Sequence, residues 1–237
     1  MSAFDPGRHA ELFSAPSSAS ASSSLPSDFE PFAVPRTIYT RQYCEENVYL
    51  LVQALEQLPA VVRSYAAFVS NHQRHALLFH QKASRQSEAQ ASWVVWDYHV
   101  VAIAAMRDAD GAEGGIVIDP DSKLGDVVSA RDYVQATFRP DLFRQGMLEP
   151  DLESRVRLVP ARSFLDNFAS DRSHMLASAE PPTVSTASRN ASTPSSPRYM
   201  APIPPYPAIA ELGEAASRED GFGIVLRNPT ELLEIRL

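Results

Sequence analysis

Apolar residues repeat at helical spacing directly after Cys44, the only cysteine of the chain. An i, i+3, i+4, i+7 repeat is typical of a helix that buries one face, and Pro59 stops the pattern. We therefore predict a helix over residues 45–58, immediately after the cysteine. Four apolar positions carry the repeat: Val48, Leu51, Val52 and Leu55.

Stretches rich in β-branched and aromatic residues follow, divided by polar or glycine-containing breaks that favour turns. The first four predict an antiparallel meander, and shorter patterns predict further strands and helices after it. The predicted fold class is therefore α+β, a three-layer α/β sandwich with a mainly antiparallel sheet flanked by helices. The predicted strands cover 64–70, 76–80, 93–106, 115–119, 155–159 and 223–227, and the predicted helices cover 130–138, 163–168 and a short stretch from 228.

Two segments differ in composition from the rest of the chain. Residues 1–36 and 176–201 are dominated by small polar residues, alanine and proline, and they offer too little apolar surface to offset the entropy of ordering. We predict that the first segment is a disordered leader and the second a disordered insertion. The leader then precedes a single folded domain over residues 37–237, which contains the insertion.

The charge balance narrows the range of partners. With 21 Lys and Arg against 29 Asp and Glu, the net charge is −8 and the pI is about 5.2. Binding to nucleic acid or to an anionic membrane calls for a concentrated excess of basic residues, so we expect neither partner. No apolar run approaches the roughly 20 residues that span a bilayer, and the N-terminal segment lacks a secretory signal pattern. These features predict a cytoplasmic protein, with the nucleus as a second location.

Cys44 is the only cysteine of the chain, and it lies at the start of a predicted helix. A single cysteine excludes a disulfide within the chain and any zinc site built from paired thiolates. At a helix N-terminus, the partial positive charge and the unpaired amides stabilise a thiolate and can hold an oxyanion. We therefore predict an abnormally acidic, nucleophilic thiol. The alternative is a small apolar residue that fills a gap beside the helix.

His99 and Asp119 are the candidate partners of that thiol. The strands that carry them are joined by a polar, glycine-containing segment centred on Ala109, so a simple hairpin register places the two side chains opposite each other, with their Cβ atoms about 5 Å apart. At that separation a carboxylate can orient an imidazole base, as it does for an activated thiol. Asp121 lies on the same face and is the alternative carboxylate, and Asp97 is a candidate for a supporting role.

Several runs of residues resemble the protein N-terminal glutamine amidohydrolase family, and they occur in that family's order. The matching blocks reach over residues 39–226, nearly all of the part that we predict to fold. The resemblance implies a core similar to those of transglutaminases and papain-like enzymes. The most specific runs are Cys-Glu-Glu-Asn at 44–47, Trp-Asp-Tyr-His at 96–99 and Ser-Asp-Arg-Ser-His-Met at 170–175.

The resemblance also implies a catalytic domain and the residues that act in it. Cys44 matches the family's nucleophile, His99 its base and Asp119 its orienting carboxylate. The implied reaction converts the N-terminal glutamine of a protein or peptide into glutamate through a cysteine thioester, with release of ammonia, at the start of the N-degron pathway. A monomer without a cofactor is implied, and we expect no bound metal. Glu45 and Asp171 lie in matching runs and are candidates for binding the substrate's ammonium group.

Two other classes of function use the same sequence features. A transglutaminase-like or peptidase-like thiol enzyme would employ the same three residues on a different amide or with a different acceptor. A noncatalytic adaptor of this fold would bind N-termini without turnover. The mass of a glutamine-initiated peptide after incubation with the protein distinguishes these alternatives from deamidation.

Overall fold

The structure is a computed structural model of the chain, and two predicted segments lie outside the residues that it describes. These are the predicted leader, residues 1–36, and the predicted insertion, residues 176–201. The boundaries of the single folded domain therefore stay a prediction. The described residues are Tyr39, 43–85, 92–107, 111–167 and 223–234.

The described residues contain a six-stranded sheet and a separate two-stranded hairpin. The strands are β1 (Val61–Ser70), β2 (Ala76–Phe79), β3 (Trp93–Trp96), β4 (His99–Arg107), β5 (Glu113–Ile118), β6 (Val128–Ser129), β7 (Arg155–Pro160) and β8 (Ile224–Leu226). The larger sheet has the order β6-β5-β4-β1-β7-β8, and each neighbouring pair is antiparallel. Within the part of the chain that the structure describes, strands β2 and β3 pair only with each other.

Helices lie on both faces of the larger sheet. They are α1 (Cys44–Leu55), α2 (Ala130–Tyr133), a π-helix (Val134–Phe138), α3 (Pro140–Arg144), α4 (Ala161–Asn167) and two 3₁₀ turns (Pro150–Leu152 and Pro229–Leu233). Helix α1 packs with α4 on one face, against β1 and β4, and α2 with the π-helix covers the other face. The predicted three-layer arrangement is thus confirmed. Within the described ranges, no helix is both long and apolar enough to cross a bilayer.

Side chains that alternate along β4 divide the apolar residues between two cores. The α1-side core includes the four repeat positions of α1, and full burial of each such side chain contributes about 1.5 to 3 kcal/mol. The other core lies against α2 and the π-helix. The α1-side core contains Val48, Leu51, Val52, Leu55, Val100, Ala102, Ala104 and Phe164. The α2-side core contains Val101, Ile103, Ala105, Val117, Tyr133, Val134 and Phe138.

The prediction of one strand over residues 93–106 was wrong, because the chain breaks at Asp97 and Tyr98. The Ser70 hydroxyl donates a hydrogen bond of 2.7 Å to the backbone carbonyl of Asp97 and so holds the break in place. The first half of the predicted strand is β3 of the hairpin, and the second half is β4 of the larger sheet. The predicted meander is wrong for the same reason, since β4 returns to pair with β1.

The hairpin of β4 and β5 has a register two residues away from the predicted one. Ala102 pairs with Ile118, and the same register extended along the strand sets His99 against Asp121. Asp119 instead lies just beyond the end of β5 and reaches His99 diagonally. Because side chains alternate with a period of two, a shift by two residues keeps Asp119 on the face that carries His99.

Candidate active site

Cys44 is the first residue of α1 and its side chain is half-buried. The first bond of the helix runs from the Asn47 amide to the Tyr43 carbonyl, at 3.0 Å. Helix geometry leaves the first amides of α1 without acceptors inside the helix, and the Tyr43 side chain forms no cap. The backbone amide of Val100 donates to the sulfur. The thiol therefore lies at the positive end of a helix dipole, as predicted.

His99 and Asp119 form a buried hydrogen-bonded pair. His99 Nε2 lies 3.0 Å from Asp119 Oδ1, and the two residues are only 1% and 2% exposed. The Trp96 ring stacks on the imidazole with the ring centroids 5.5 Å apart, which fixes the plane of the His99 ring. Because Asp119 occupies Nε2, the Nδ1 atom is left facing Cys44, and the imidazole is close enough to the thiol to lower the pKa of Cys44.

Protein donors surround Asp119 on both of its oxygens. The Tyr133 hydroxyl donates to Oδ2 at 2.7 Å, and Gln81 Nε2 donates to the same oxygen at 3.3 Å. The backbone amide of Asp121 donates to Oδ1 at 3.0 Å. Asp121, the alternative carboxylate, thus supports Asp119 through its main chain, while its own side chain accepts from the Tyr39 hydroxyl at 2.5 Å.

The groups of the site come from opposite faces of the sheet. Cys44 packs against the α1-side core. Trp96, which stacks on His99, packs against the α2-side core, and Tyr133, which bonds to Asp119, is part of it. They meet because His99 is the first residue of β4, where the start of α1 can reach past the end of the strand.

Glu45, one of the two candidates for the substrate's ammonium group, lies beside the thiol. Its Oε2 accepts a hydrogen bond from Cys44 Sγ at 3.4 Å, and its Oε1 accepts one from the Tyr98 hydroxyl at 3.1 Å. The side chain is half-buried, so the carboxylate is within reach of a ligand. Asp171, the other candidate, lies outside the described residues.

The pairing of His99 with Asp119 shifts the pKa of both groups. Burial alone would raise the pKa of Asp119, but the charge and hydrogen bond of His99 and the hydroxyl of Tyr133 hold it below its usual value. Burial alone would lower the pKa of His99, but the Asp119 carboxylate raises it well above its usual range. His99 is therefore a stronger base than a free imidazole, which suits an acceptor for a thiol proton.

The prediction of an abnormally acidic thiol was wrong for the free protein. Burial raises the pKa of Cys44, and the adjacent Glu45 carboxylate raises it further. The hydrogen bond and charge of His99 and the amide of Val100 act in the opposite direction without cancelling the rise. A helix-start argument omits both opposing effects, because the sequence shows neither the depth of the sulfur nor the way that Glu45 folds back onto it.

One cluster among the described residues offers ligand atoms at metal-binding separations. The atoms of His99, Asp119 and Asp121 lie within 4.8 Å of one another. A metal ion at this position would compete with the hydrogen bond that joins His99 to Asp119. The cluster therefore fits an orienting carboxylate with its supports better than a metal centre.

The sequence patterns assign no role to two tyrosines of the site. Tyr133 is the last residue of α2, and in the sequence it cannot be told from any other buried residue of a helix. Tyr98 precedes His99 in the Trp-Asp-Tyr-His run, and that position was the one available signal. The bonds of both tyrosines to carboxylates became visible only in the fold.

A buried His–Asp pair beside a cysteine at a helix start is the arrangement that activates sulfur in thiol-dependent hydrolases and transferases. The sequence model of the N-terminal glutamine amidase family matches residues 39–223, most of the chain and all three of these groups. The chain belongs to the N-terminal glutamine amidase family.

Curated relatives carry a matching description. Over 141 residues the chain is 38% identical to the protein N-terminal glutamine amidohydrolase of Oryza sativa subsp. indica, a match that covers 58% of each chain and so less than two thirds of that relative. Over 199 residues it is 30% identical to the Homo sapiens protein of that name, with 82% of each chain covered. The NMR structure of protein-glutaminase from Chryseobacterium proteolyticum matches at 18% identity over 41% of this chain and 45% of that one, with a TM-score of 0.29, too low to support an argument.

Proposed function

We propose that the chain is a protein N-terminal glutamine amidohydrolase, which converts the side-chain amide of an N-terminal glutamine into a carboxylate and releases ammonia. The observation that carries the proposal is the Cys44–His99–Asp119 arrangement in a member of the N-terminal glutamine amidase family. The rice and human relatives bear the name of this activity. The proposed setting is the start of the N-degron pathway, with the chain acting as a monomer.

In the first half of the proposed reaction, the Cys44 thiol gives its proton to His99 and the thiolate attacks the amide carbon of the glutamine side chain. The carbonyl oxygen becomes an oxyanion, for which the Cys44 backbone amide at the start of α1 is our candidate donor. His99 then passes its proton to the departing nitrogen. Ammonia leaves, and a thioester joins Cys44 to the substrate.

Water completes the proposed reaction. Neutral His99 accepts a proton from the water molecule as that water attacks the thioester, and the proton is returned to the departing sulfur of Cys44. Asp119 holds Nε2 of His99 throughout, so that the other ring nitrogen carries out both transfers. The products are an N-terminal glutamate and the free thiol.

Selection of an N-terminus requires an acceptor for the substrate's ammonium group, and we propose Glu45 for this role. Its carboxylate is half-buried and adjacent to the nucleophile. Asn is one methylene shorter than Gln, so with its ammonium held at Glu45 its carbonyl carbon stops short of Cys44. A misplacement of about 1 Å reduces the rate on the order of a hundredfold.

The test compares ammonia release and product mass for peptides that begin with Gln, Asn or acetyl-Gln, with Cys44→Ala as the blank. We expect rapid release from Gln alone. Comparable rates for Gln and acetyl-Gln contradict the selection of an N-terminus. Incorporation of an amine or cleavage of the backbone indicates the transglutaminase-like or peptidase-like alternative, and binding without turnover indicates the adaptor.

A further inference from the structure

The carboxylate of Glu45 bonds to the nucleophile and also to a side chain outside α1. Its Oε2 is 3.4 Å from Cys44 Sγ, and its Oε1 is 3.1 Å from the Tyr98 hydroxyl oxygen. A thiol has one proton, so while Cys44 donates to Glu45 it cannot donate to His99. Two acceptors, one on each side of the sulfur, therefore compete for the same proton.

We propose that Glu45 makes the activation of Cys44 depend on the ammonium group of the substrate. In the empty site, and above the pH at which His99 loses its own proton, the thiol keeps its proton and directs it at Glu45. An ammonium group that binds Glu45 takes over that acceptor, and the thiol turns to His99 and transfers its proton to Nδ1. One proton moves from sulfur to nitrogen, so thiolate and imidazolium form together and no further reactant is required. This inference rests on the proposed function.

Charge acts in the same direction as the hydrogen bond. A carboxylate beside the sulfur disfavours a second negative charge, and after burial Glu45 is the group that raises the pKa of Cys44. A bound ammonium group cancels the charge of Glu45 at short range, in a half-buried site where the effective dielectric constant lies below that of water. Binding thus removes the repulsion that opposes the thiolate.

Tyr98 holds Glu45 in the position that this coupling requires. Burial raises the pKa of the Tyr98 hydroxyl, and the charges of Glu45 and Cys44 add to the rise, so Tyr98 stays a neutral donor at every working pH. Its bond uses one oxygen of Glu45 and leaves the other directed at the sulfur. Tyr98 is therefore a positioning residue, which acts on the thiol through Glu45.

Among the described residues, Glu45 is the carboxylate seen to bond both to the sulfur and to Tyr98. On its other side the sulfur meets His99, its proton acceptor. Within the described ranges, Glu45 is the carboxylate whose hydrogen bond to the sulfur is seen. The elements around the sulfur carry these ionisable side chains: Glu45, Glu46 and Tyr49 on α1, Asp97 and Tyr98 just before β4, His99 and Arg107 on β4, and Arg162 and Asp166 on α4, which pair with each other at 3.9 Å.

The coupling gives a form of selectivity that anchoring alone does not give. An acetylated N-terminus or an internal glutamine brings no ammonium group, so it meets a Cys44 that is still protonated. Discrimination then appears in kcat as well as in KM, because the nucleophile itself is unready. Simple anchoring by Glu45 predicts a loss that depends on binding and position only.

The experiment measures the thiolate of the full chain directly. Cys44 is the only cysteine, so the ultraviolet absorbance of wild type minus that of Cys44→Ala reports its ionisation as a function of pH. The probe ligand is norvalyl-alanine, which has a free ammonium group but no amide in its side chain, and the control ligand is acetyl-norvalyl-alanine. We expect norvalyl-alanine alone to lower the midpoint by about one pH unit, equivalent to about a tenfold rise in thiolate below the midpoint.

Matched variants separate Glu45 from its neighbours. Glu45→Gln should have a lowered midpoint without ligand and no response to norvalyl-alanine, whereas Glu46→Gln, which removes the same charge one residue further along α1, should respond like wild type. Glu45→Asp retains the charge, so its midpoint in the empty site should stay above its midpoint with norvalyl-alanine bound. Glu45→Asp, together with the wild-type ligand titration, decides the question even where Glu45→Gln does not fold.

Failure of the coupling and failure of the proposed function can be distinguished. Three results would each overturn the coupling. Norvalyl-alanine does not inhibit turnover, it leaves the midpoint of the thiol titration unchanged, or its acetylated analogue lowers that midpoint equally. Ammonia release from a Gln-initiated peptide is measured on the same preparation. Turnover with an unresponsive thiol contradicts only the coupling, whereas an absence of turnover contradicts the proposed function.

Discussion

Two carboxylates flank the reacting groups, and the protein holds them in different ways. Asp119 is buried and accepts from the side chains of Tyr133 and Gln81, from a backbone amide and from His99. Glu45 is half-buried, and among the described residues it accepts from Cys44 and Tyr98. Protein donors thus occupy the acceptor positions of Asp119, whereas Glu45 retains positions at which it can accept further hydrogen bonds.

The difference indicates which carboxylate can meet a ligand. An ionised carboxylate has about four acceptor positions, and at Asp119 the protein fills them all. Such a group cannot bind a substrate without losing internal bonds, which supports the role of orienting His99 that we propose for it. Glu45 can accept a new donor without that loss. Variants that remove one support at a time test whether this contrast in bonding is also a contrast in role.

The largest effect is expected at Asp119 itself. Asp119→Asn should reduce kcat by about 10⁴-fold, because the amide group presents a donor to Nε2 and forces His99 into the wrong tautomer for accepting the thiol proton. The measurement is steady-state ammonia release together with a thermal melt. Asp121→Asn is the matched control, since it leaves the backbone amide that supports Asp119 in place. Equal losses in the two variants would show that Asp119 has no special role.

A smaller effect is expected at Tyr133. Tyr133→Phe removes one of the donors to Asp119, and we expect a loss of about tenfold in kcat and about 1 kcal/mol in the free energy of unfolding. Because the Tyr133 hydroxyl lowers the pKa of Asp119, its removal raises that pKa and makes the carboxylate a stronger partner for protonated His99. The coupled His99–Asp119 pair then takes up its proton at higher pH, and the fall of activity on acidification should begin there. Tyr65→Phe, at the edge of the same α2-side core, is the control. An unshifted pH profile for Tyr133→Phe contradicts this role.

The smallest effect is expected at Tyr98. Tyr98→Phe leaves the charge of Glu45 but removes the bond that orients it, and one hydrogen bond of about 1 kcal/mol corresponds to a loss of about fivefold in kcat/KM. The acid limb of the pH profile, which reflects protonation of the coupled His99–Asp119 pair, should stay where it is in wild type. A loss from Tyr98→Phe as large as that from Tyr133→Phe would remove the contrast between the two carboxylates.

Local patterns predicted the parts of the site that depend on local structure. The apolar repeat after Cys44 indicated α1 and hence the position of the sulfur at its start, since helical periodicity is carried by neighbouring residues. The resemblance to a known family supplied His99 and Asp119. The hairpin argument reached the same two residues from a register that was wrong by two positions, and it succeeded because the period of a strand is also two.

The supports of the site were beyond prediction, because they come from distant parts of the chain. The bond from Tyr133 to Asp119 spans 14 positions, and the bond from Gln81 spans 38. No periodicity connects such positions, so they become visible only when the sheet brings its elements together. The contact of Glu45 with the sulfur joins adjacent residues, yet a side-chain rotamer decides it, and sequence patterns contain no rotamers.

The position of the site at the start of β4 has a consequence for how the protein loses activity when it unfolds. Sulfur and imidazole are brought together only while α1 is docked on the sheet, and Asp119 keeps its Tyr133 donor only while α2 is docked on the other face. Loosening of either layer therefore disrupts the site before the whole domain melts. Turnover therefore reports whether both helical layers are docked on the sheet. Inactivation by heat or denaturant should precede the loss of bulk secondary structure. A partly folded chain still contains Cys44, but its site is not assembled.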